Sequence, residues 1–439
     1  MLHQPGNLSL NVLKLNLIQG FQFENNSFLT GRVIGYHSFN VVEMTLSVKQ
    51  FQAQLIAKAK DVYSHSPLSE KVISAFYVVP RHEFVQKYRF WSNPNWFEVN
   101  SANIEQHLAA LYADQPVIIY GSDEDFESRG VKPVSTISQP SFVLRMIDLL
   151  RLEPGHKVFE LGAGSAWNAA LMGNIIGPTG KVVSLEIIPD LIAPANSTLK
   201  RLGIDNVDVL LGDGGDGCKE YGPYDRAVFT AGSFDLPQSF FRQIKNGGLL
   251  LFVLKNKGGA DNLILLEKRE DHFASIFSMS CGFVPMTGKY RFTDFDAKPL
   301  DEILNSAGIK THEIDKNPFW WAGTTEDNFI WANAGLRSFL SISEPMLEIV
   351  AIGSGKTSFG ILDKEQKSFM LAKYDSLISF GSTRARDHFI SSMKSWIDIG
   401  MPGLSTLEVR AYPKGINIHI GHNEWVSNRA ETTFIWRLP

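Results

Sequence analysis

The run Lys157-Val158-Phe159-Glu160-Leu161-Gly162-Ala163-Gly164-Ser165, continuing into Ala166-Trp167-Asn168-Ala169-Ala170-Leu171, constrains the fold of this chain more than any other stretch. A short apolar run ending in an acid, two glycines one residue apart and an alanine-rich helical pattern describe a strand that turns tightly into a helix. Such a turn presents backbone N–H groups to a ligand. Alone, the glycine pair is equally compatible with a bare tight turn, so its meaning depends on its surroundings.

Downstream, strand and helix take turns: helix Ala166–Ile176, strand Lys181–Glu186, helix Pro189–Leu202, strand Val207–Leu211, strand Asp225–Thr230, helix Pro237–Ile244, turn Asn246-Gly247-Gly248 and strand Leu249–Leu254. That rhythm predicts an α/β fold with a doubly wound, mostly parallel Rossmann-like sheet and right-handed crossovers. The β-patterned runs Asn262–Arg269 and Phe273–Val284, with Glu270-Asp271-His272 between them, predict an antiparallel hairpin that finishes the sheet. Upstream, apolar residues at helical spacing predict helices over Thr45–Tyr63 and Leu68–Phe76, the second opened by Ser66 or Ser69. An acidic loop from Gly121 to Gly130 separates two extended pieces, and an amphipathic helix covers Ser141–Leu150.

The pattern gives way to charge and turn residues near Lys289–Ala307. Beyond it come β runs at Leu347–Ile352, Ser358–Leu362 and Lys367–Leu371, a helix at Arg384–Ile397, and a final β pair at Thr406–Tyr412 and Ile416–Ile420. The expected division is an arm or hairpin over 1–42 with no readable function, an α/β domain over 43–300 and a smaller, separate α+β module over 315–439. Trp91, Trp96, Trp320, Trp321 and Trp331 cluster near the proposed edges and are expected to seal interfaces.

The 439 residues carry 44% hydrophobic and 20% charged side chains and a net charge of −4, a soluble globular profile with no nucleic-acid footprint. No apolar stretch approaches the length of a membrane span, and no signal peptide is recognisable. Two cysteines, Cys218 and Cys281, make no disulfide framework, so a cytoplasmic location is expected. The histidines form no metal-binding spacing, and no metal is expected.

In doubly wound folds the ligand lies at the carboxyl ends of the strands. Three acids stand at such ends: Glu160 after the first strand, Glu186 after the second and Asp213 after the third. Glu186 is suitably spaced to accept hydrogen bonds from both hydroxyls of a ribose. The third glycine of a dinucleotide fingerprint is replaced by Trp167, whose indole should crowd a pyrophosphate, and no basic residue occurs from Phe159 to Ile176. The pattern favours a nucleoside cofactor without phosphate.

Several motifs carry a family resemblance. Thr136-Ile137-Ser138-Gln139-Pro140, Phe159-Glu160-Leu161-Gly162-Ala163-Gly164-Ser165, Leu211-Gly212-Asp213-Gly214 and Phe283-Val284-Pro285 resemble the ordered motifs of protein L-isoaspartyl O-methyltransferases. Ala75-Phe76-Tyr77-Val78-Val79-Pro80-Arg81-His82-Glu83-Phe84-Val85 is similar to a helix preceding them in that family. The resemblance covers roughly residues 65–288 and implies methyl transfer from S-adenosyl-L-methionine to a side-chain carboxylate.

By that resemblance Ser138 is the catalytic hydroxyl, with Thr136 and Ser141 beside it at the substrate. Glu160, Gly162, Ala163, Gly164 and Ser165 would hold the cofactor's amino-acid end, Glu186 the ribose, and Asp213 with Gly214 the adenine, with Ile137 and Ile187 completing the cofactor pocket. On residue chemistry alone, capping the helix that begins near Pro140 is the preferred role for Ser138. The chain departs from the pattern at Ala166, where glycine is usual and alanine asks for a negative φ, and at Ser141, where an aromatic or histidine is often found.

The acidic insert Gly121–Val131, the Ser-Gln-Pro-Ser sequence and the run Trp396–Leu404 look more like longer members associated with ribosomally made, modified peptides. The expected partner is therefore a protein or peptide bearing isoaspartate or aspartate, with repair of damaged proteins and tailoring of a dedicated peptide both open. A cofactor-binding scaffold without turnover is the alternative from another class. No nucleic acid or membrane partner is expected, and the oligomeric state, a homodimer included, is open.

Overall fold

The computed structural model describes residues 47–127, 132–257, 261–291, 297–319, 325, 329, 333–352 and 357–439. The predicted arm over 1–42 and Trp320, Trp321 and Trp331 lie outside the described residues, as does the end of the acidic insert.

An N-terminal layer covers one face of the molecule. It comprises α1 (Val48–Val62), α2 (Glu70–Val78), β1 (Lys87–Phe90), β2 (Asn93–Glu98), α3 (Ile104–Leu111), β3 (Val117–Tyr120), a short acidic helix α4 (Asp123–Glu127), β4 (Ser135–Ile137) and α5 (Pro140–Leu149). The four strands form a small sheet in the order β2-β1-β3-β4. The apolar residues that predicted α1 and α2, among them Leu55, Ile56, Ala59, Val72 and Phe76, are buried as a stripe against the core. Where a loop is expected after Gly121, Asp123–Glu127 makes one helical turn. Trp91 and Trp96 stay 53% and 37% exposed on the β1–β2 hairpin instead of sealing an interface.

The central sheet follows the predicted alternation: β5 (Lys157–Leu161), α6 (Trp167–Ile176), β6 (Lys181–Glu186), α7 (Pro189–Arg201), β7 (Val207–Leu211), β8 (Tyr224–Phe229), α8 (Ser239–Gln243) and β9 (Ile244–Leu254). β7, β6, β5, β8 and β9 lie side by side and parallel; β10 (Asp261–Lys268) and β11 (Phe273–Cys281) continue the sheet antiparallel. Side chains alternate between two cores, as a strand period of two requires. Val158, Val182 and Val209 face the core shared with α1, α2, α5 and α6, while Phe159, Val183 and Phe252 face the opposite one. The predicted turn at Asn246-Gly247-Gly248 lies inside β9; Gly247 takes φ 75 there, and the pairing with β8 shifts register between Tyr224 and Arg226.

A third sheet contains β12 (Lys298–Pro299), β13 (Glu313–Pro318), β14 (Leu347–Ala351), β15 (Thr357–Asp363), β16 (Ser368–Ala372) and β17 (Ser376–Phe380) in the order β12-β14-β15-β16-β17-β13. It packs with α9 (Leu300–Ser306), α10 (Ala334–Ser343) and α11 (Arg384–Asp398).

The last three strands correct the expected division. β18 (Glu408–Pro413), β19 (Glu424–Asn428) and β20 (Thr432–Arg437) join the central sheet: β18 pairs with the outer edge of β11, Phe273 opposite Ala411, and β20 pairs with β18. The C-terminal 315–439 is thus split between two sheets. The predicted strand Ile416–Ile420 is not one; Ile416 and Ile420 are 40% and 50% exposed, and the pairing partner of β18 comes from Thr432–Arg437. An open edge on β11 supplies the reason, since unpaired backbone groups there take the strand that best covers them.

Candidate functional site

The turn between β5 and α6 is shaped by positions that need a left-handed backbone. Gly162 has φ 90, and a Cβ there would lie 2.4 Å from Thr230 Oγ1. That hydroxyl lies 2.6 Å from the Gly162 carbonyl oxygen and 2.8 Å from that of Leu161. Gly164 has φ 52. Ala166, expected at negative φ, takes φ 67 at the N-cap of α6. The turn geometry overrides the preference of alanine, at a cost of roughly 1–2 kcal/mol.

Glu186, at the end of β6, closes the turn from the neighbouring strand. Its Oε2 accepts the Gly164 N–H at 2.7 Å and its Oε1 accepts the Ile188 N–H at 3.0 Å. Burial pushes its pKa up, and these backbone donors oppose that shift. The Ser165 Oγ accepts the Trp167 N–H at 3.4 Å.

A cavity opens over this turn at the carboxyl ends of the parallel strands. Thr136, Ile137, Ser138, Gly162, Ala163, Gly164, Ser165, Glu186, Ile187, Asp213 and Gly214 all line it. Two sequence candidates do not. Glu160 is fully buried beneath the turn, its Oε2 accepting from Ser184 Oγ at 2.6 Å, and burial lifts its pKa to about 8. The pleat puts Glu160 on the same face of the sheet as its partner Ser184, and it does not line the cavity. Ser141 is also fully buried; its N–H and Oγ donate to Asp114 Oδ1 and Oδ2, each at 2.9 Å.

Asp114 thereby does what Ser138 was the sequence candidate to do, satisfying the start of α5 from a distant loop. The N-cap position itself is Gln139, whose side-chain amide also donates to Asp114 at 3.1 Å. Among the described residues the Ser138 hydroxyl has no hydrogen-bond partner, and its residue lines the cavity.

On the opposite wall Asp213 is oriented by backbone donors. Its Oδ1 accepts the Gly215 N–H at 3.0 Å and its Oδ2 the Lys289 N–H at 2.9 Å. Residues 284–287, after β11, and Asn168, Thr230 and Ala231 are among the further lining residues that were not singled out as site residues. Thr230 could have been found by the rule that named the acids, since it follows β8 at its carboxyl end.

Among the described residues, the only ionisable side chains in the wall are Glu186 and Asp213, both acids. Such a cavity offers acceptors to a nucleoside's hydroxyl and amino groups and no cation to a phosphate. Trp167 also lines the cavity, while its indole is buried and its Nε1 donates to the Val79 carbonyl at 3.2 Å.

A family model described as protein-L-isoaspartate(D-aspartate) O-methyltransferase matches residues 52–291. The chain is 36% identical over 228 residues to the protein-L-isoaspartate O-methyltransferase of Methanopyrus kandleri, covering 52% of this chain and 87% of the relative. It is 34% identical over 236 residues to the protein-L-isoaspartate O-methyltransferase 2 of a Polaromonas species, covering 54% and 96%. Among solved structures, a protein-L-isoaspartate O-methyltransferase overlays 82% of this chain and 96% of its own, with 20% sequence identity and a TM-score of 0.47.

Proposed function

Because the chain belongs to the protein-L-isoaspartate(D-aspartate) O-methyltransferase family, we propose a role in its reaction for each residue of the cavity wall. The protein is an S-adenosylmethionine-dependent carboxyl methyltransferase that acts on protein substrates bearing isoaspartate. The named relatives are protein-L-isoaspartate O-methyltransferases, which does not favour a tailoring enzyme or an inactive scaffold.

The cofactor fits the residues present. A wall with two acids and no base suits a ligand that is a nucleoside without phosphate and carries a sulfonium. Glu186 is proposed to accept from the ribose hydroxyls, and Asp213 with the Gly214 backbone to bind the adenine. Gly162, Ala163, Gly164 and Ser165 would cradle the amino-acid end, the missing Cβ atoms at 162 and 164 making room for Thr230 and Ser135 beside the turn. Ile137 and Ile187 supply apolar contact.

S-adenosylmethionine supplies an electrophilic methyl group. The work left to this chain is alignment and exclusion of water, because a carboxylate with an unperturbed pKa of about 3.9 is already ionised at neutral pH and needs no general base. Holding the carboxylate oxygen in line can lower the barrier by on the order of 7–11 kcal/mol. Ser138 is proposed to donate to that carboxylate and fix its direction, with Thr136 beside it. The observation that carries this reading is that Ser138, whose hydroxyl has no hydrogen-bond partner among the described residues, lines the same cavity as Glu186 and Asp213. A cytoplasmic location is proposed from the composition, with both thiols unpaired.

The deciding experiment offers methyl-labelled S-adenosylmethionine with an isoaspartyl peptide and with its aspartyl twin. Base-labile label on the isoaspartyl peptide alone is expected. Label only on the aspartyl twin, or on neither, overturns the substrate assignment.

A further inference from the structure

Arg81 has no accessible surface and lies in the short turn Arg81–Phe84 that follows α2. Its guanidinium donates to three backbone carbonyls: Nε to Leu111 at 2.8 Å, Nη1 to Ser138 at 2.7 Å and Nη2 to Ile137 at 3.2 Å. Its central carbon also lies 4.8 Å from the centre of the Trp167 ring, in the first turn of α6.

Burying a cation against neutral carbonyls is costly, and an apolar side chain of similar size often leaves a fold as stable or more so. Stability alone therefore gives a weak account of this arrangement, whereas its geometry suggests a stronger one. The Ile137 and Ser138 carbonyls belong to the peptide units on either side of the Ser138 Cα. Fixing both units fixes the direction of the Cα–Cβ bond between them, and hence the arc on which the hydroxyl can lie. The contact with Trp167 ties the same guanidinium to the helix that leaves the glycine turn. A planar fork with several donors suits this task, and a lysine, with one point-like ammonium, does not reproduce it.

We propose that Arg81 is a positioning residue for methyl transfer, holding the backbone around Ser138 in register with the Gly162–Trp167 turn without touching the substrate. The proposal rests on Ser138 being the residue that aligns the substrate carboxylate.

The test is a double-mutant cycle on the full chain with Arg81→Lys, Ser138→Ala and the pair. It reads kcat and KM with an isoaspartyl peptide, S-adenosylhomocysteine affinity, and melting temperature. Arg81→Lys should lower kcat about tenfold, with cofactor affinity changed less than about threefold. In the Ser138→Ala background the same change should alter kcat less than about twofold, because the residue it acts through is gone. Full additivity, or an unchanged kcat in Arg81→Lys, overturns the positioning role while leaving Ser138 in place. An unchanged kcat in Ser138→Ala alone overturns the underlying reading instead. If Arg81→Lys does not fold, Arg81→Met gives the same comparison while keeping bulk over Trp167. Failure of both to fold, with Ser138→Ala folded, assigns Arg81 to structure alone and overturns the proposal.

Discussion

Glu160 and Ser184 stand opposite each other on the parallel strands β5 and β6, and the serine hydroxyl donates to the Glu160 Oε2 at 2.6 Å. The other carboxyl oxygen, Oε1, is buried with no hydrogen-bond partner among the described residues. Burial is the largest cause of the raised pKa, about 8 against an ordinary 4.5; the nearby Glu186 adds to it and Ser184 opposes it. The folded protein thus keeps a proton on Glu160 through a range in which the unfolded chain has lost it. Stability should fall as pH rises from about 4.5 to about 8 and be independent of this group below that window. Glu160→Gln should flatten this dependence. Its stability relative to the parent, measured by urea unfolding, should increase by about 2 kcal/mol between pH 6 and pH 9. A gap independent of pH would mean that Glu160 is ionised throughout.

The cofactor role expected of Glu160 separates cleanly from that of Glu186. Glu160→Gln should leave S-adenosylhomocysteine affinity within about threefold, whereas Glu186→Gln, which weakens charge-assisted bonds of roughly 1.5–3 kcal/mol, should reduce it about tenfold or more. Isothermal titration of the two variants checks this. Equal losses would return Glu160 to the cofactor site.

Ser138→Ala should lower kcat about tenfold or more and leave cofactor affinity nearly unchanged, a loss of roughly 1.4 kcal/mol of transition-state stabilisation. Melting temperature should move little, because Asp114 and not Ser138 serves the start of α5. A large loss of stability would restore the capping role.

Ala166→Gly removes a Cβ from a left-handed position with φ 67. Relief of roughly 1–2 kcal/mol of strain outweighs the 0.4–1 kcal/mol that glycine costs through the unfolded chain, so a gain of up to about 1 kcal/mol is expected. Thermal unfolding measures it; a destabilised variant would show that the Ala166 methyl packs better than its backbone is strained.

Truncation after Ser405 deletes β18, β19 and β20 and bares the edge of β11. It also removes Val409, Phe434 and Trp436 from the core beneath the central sheet. The shortened chain should accumulate in the insoluble fraction on expression. A soluble product that binds S-adenosylhomocysteine would restore the C-terminal region as a separate module.

Much of this was legible in the chain because it is local. The Lys157–Ser165 pattern and the strand-helix rhythm after it settle their own conformation through periodicity, and the parallel part of the sheet, β5 to β9, follows from them; β10, β11, β18, β20 and β19 extend it antiparallel. Acids at strand ends are visible in the same way. Whether a given acid faces the cavity is not: Glu160 and Glu186 look alike in sequence, yet the pleat turns Glu160 onto Ser184, while Glu186 ends its strand and bends to the Gly164 N–H. The same holds for Ser141, drawn inward by Asp114 from a loop outside its motif.

Local pattern by itself determined the central sheet, its glycine turn and the nucleoside character of the ligand. Only the tertiary structure decided which side chains line the cavity, that Arg81 grips the backbone around Ser138, and that the final strands belong to the central sheet. The physical reason is common to all three. Each depends on a donor, an acceptor or an open strand edge contributed by a distant part of the chain, and becomes defined only when packing brings the two together.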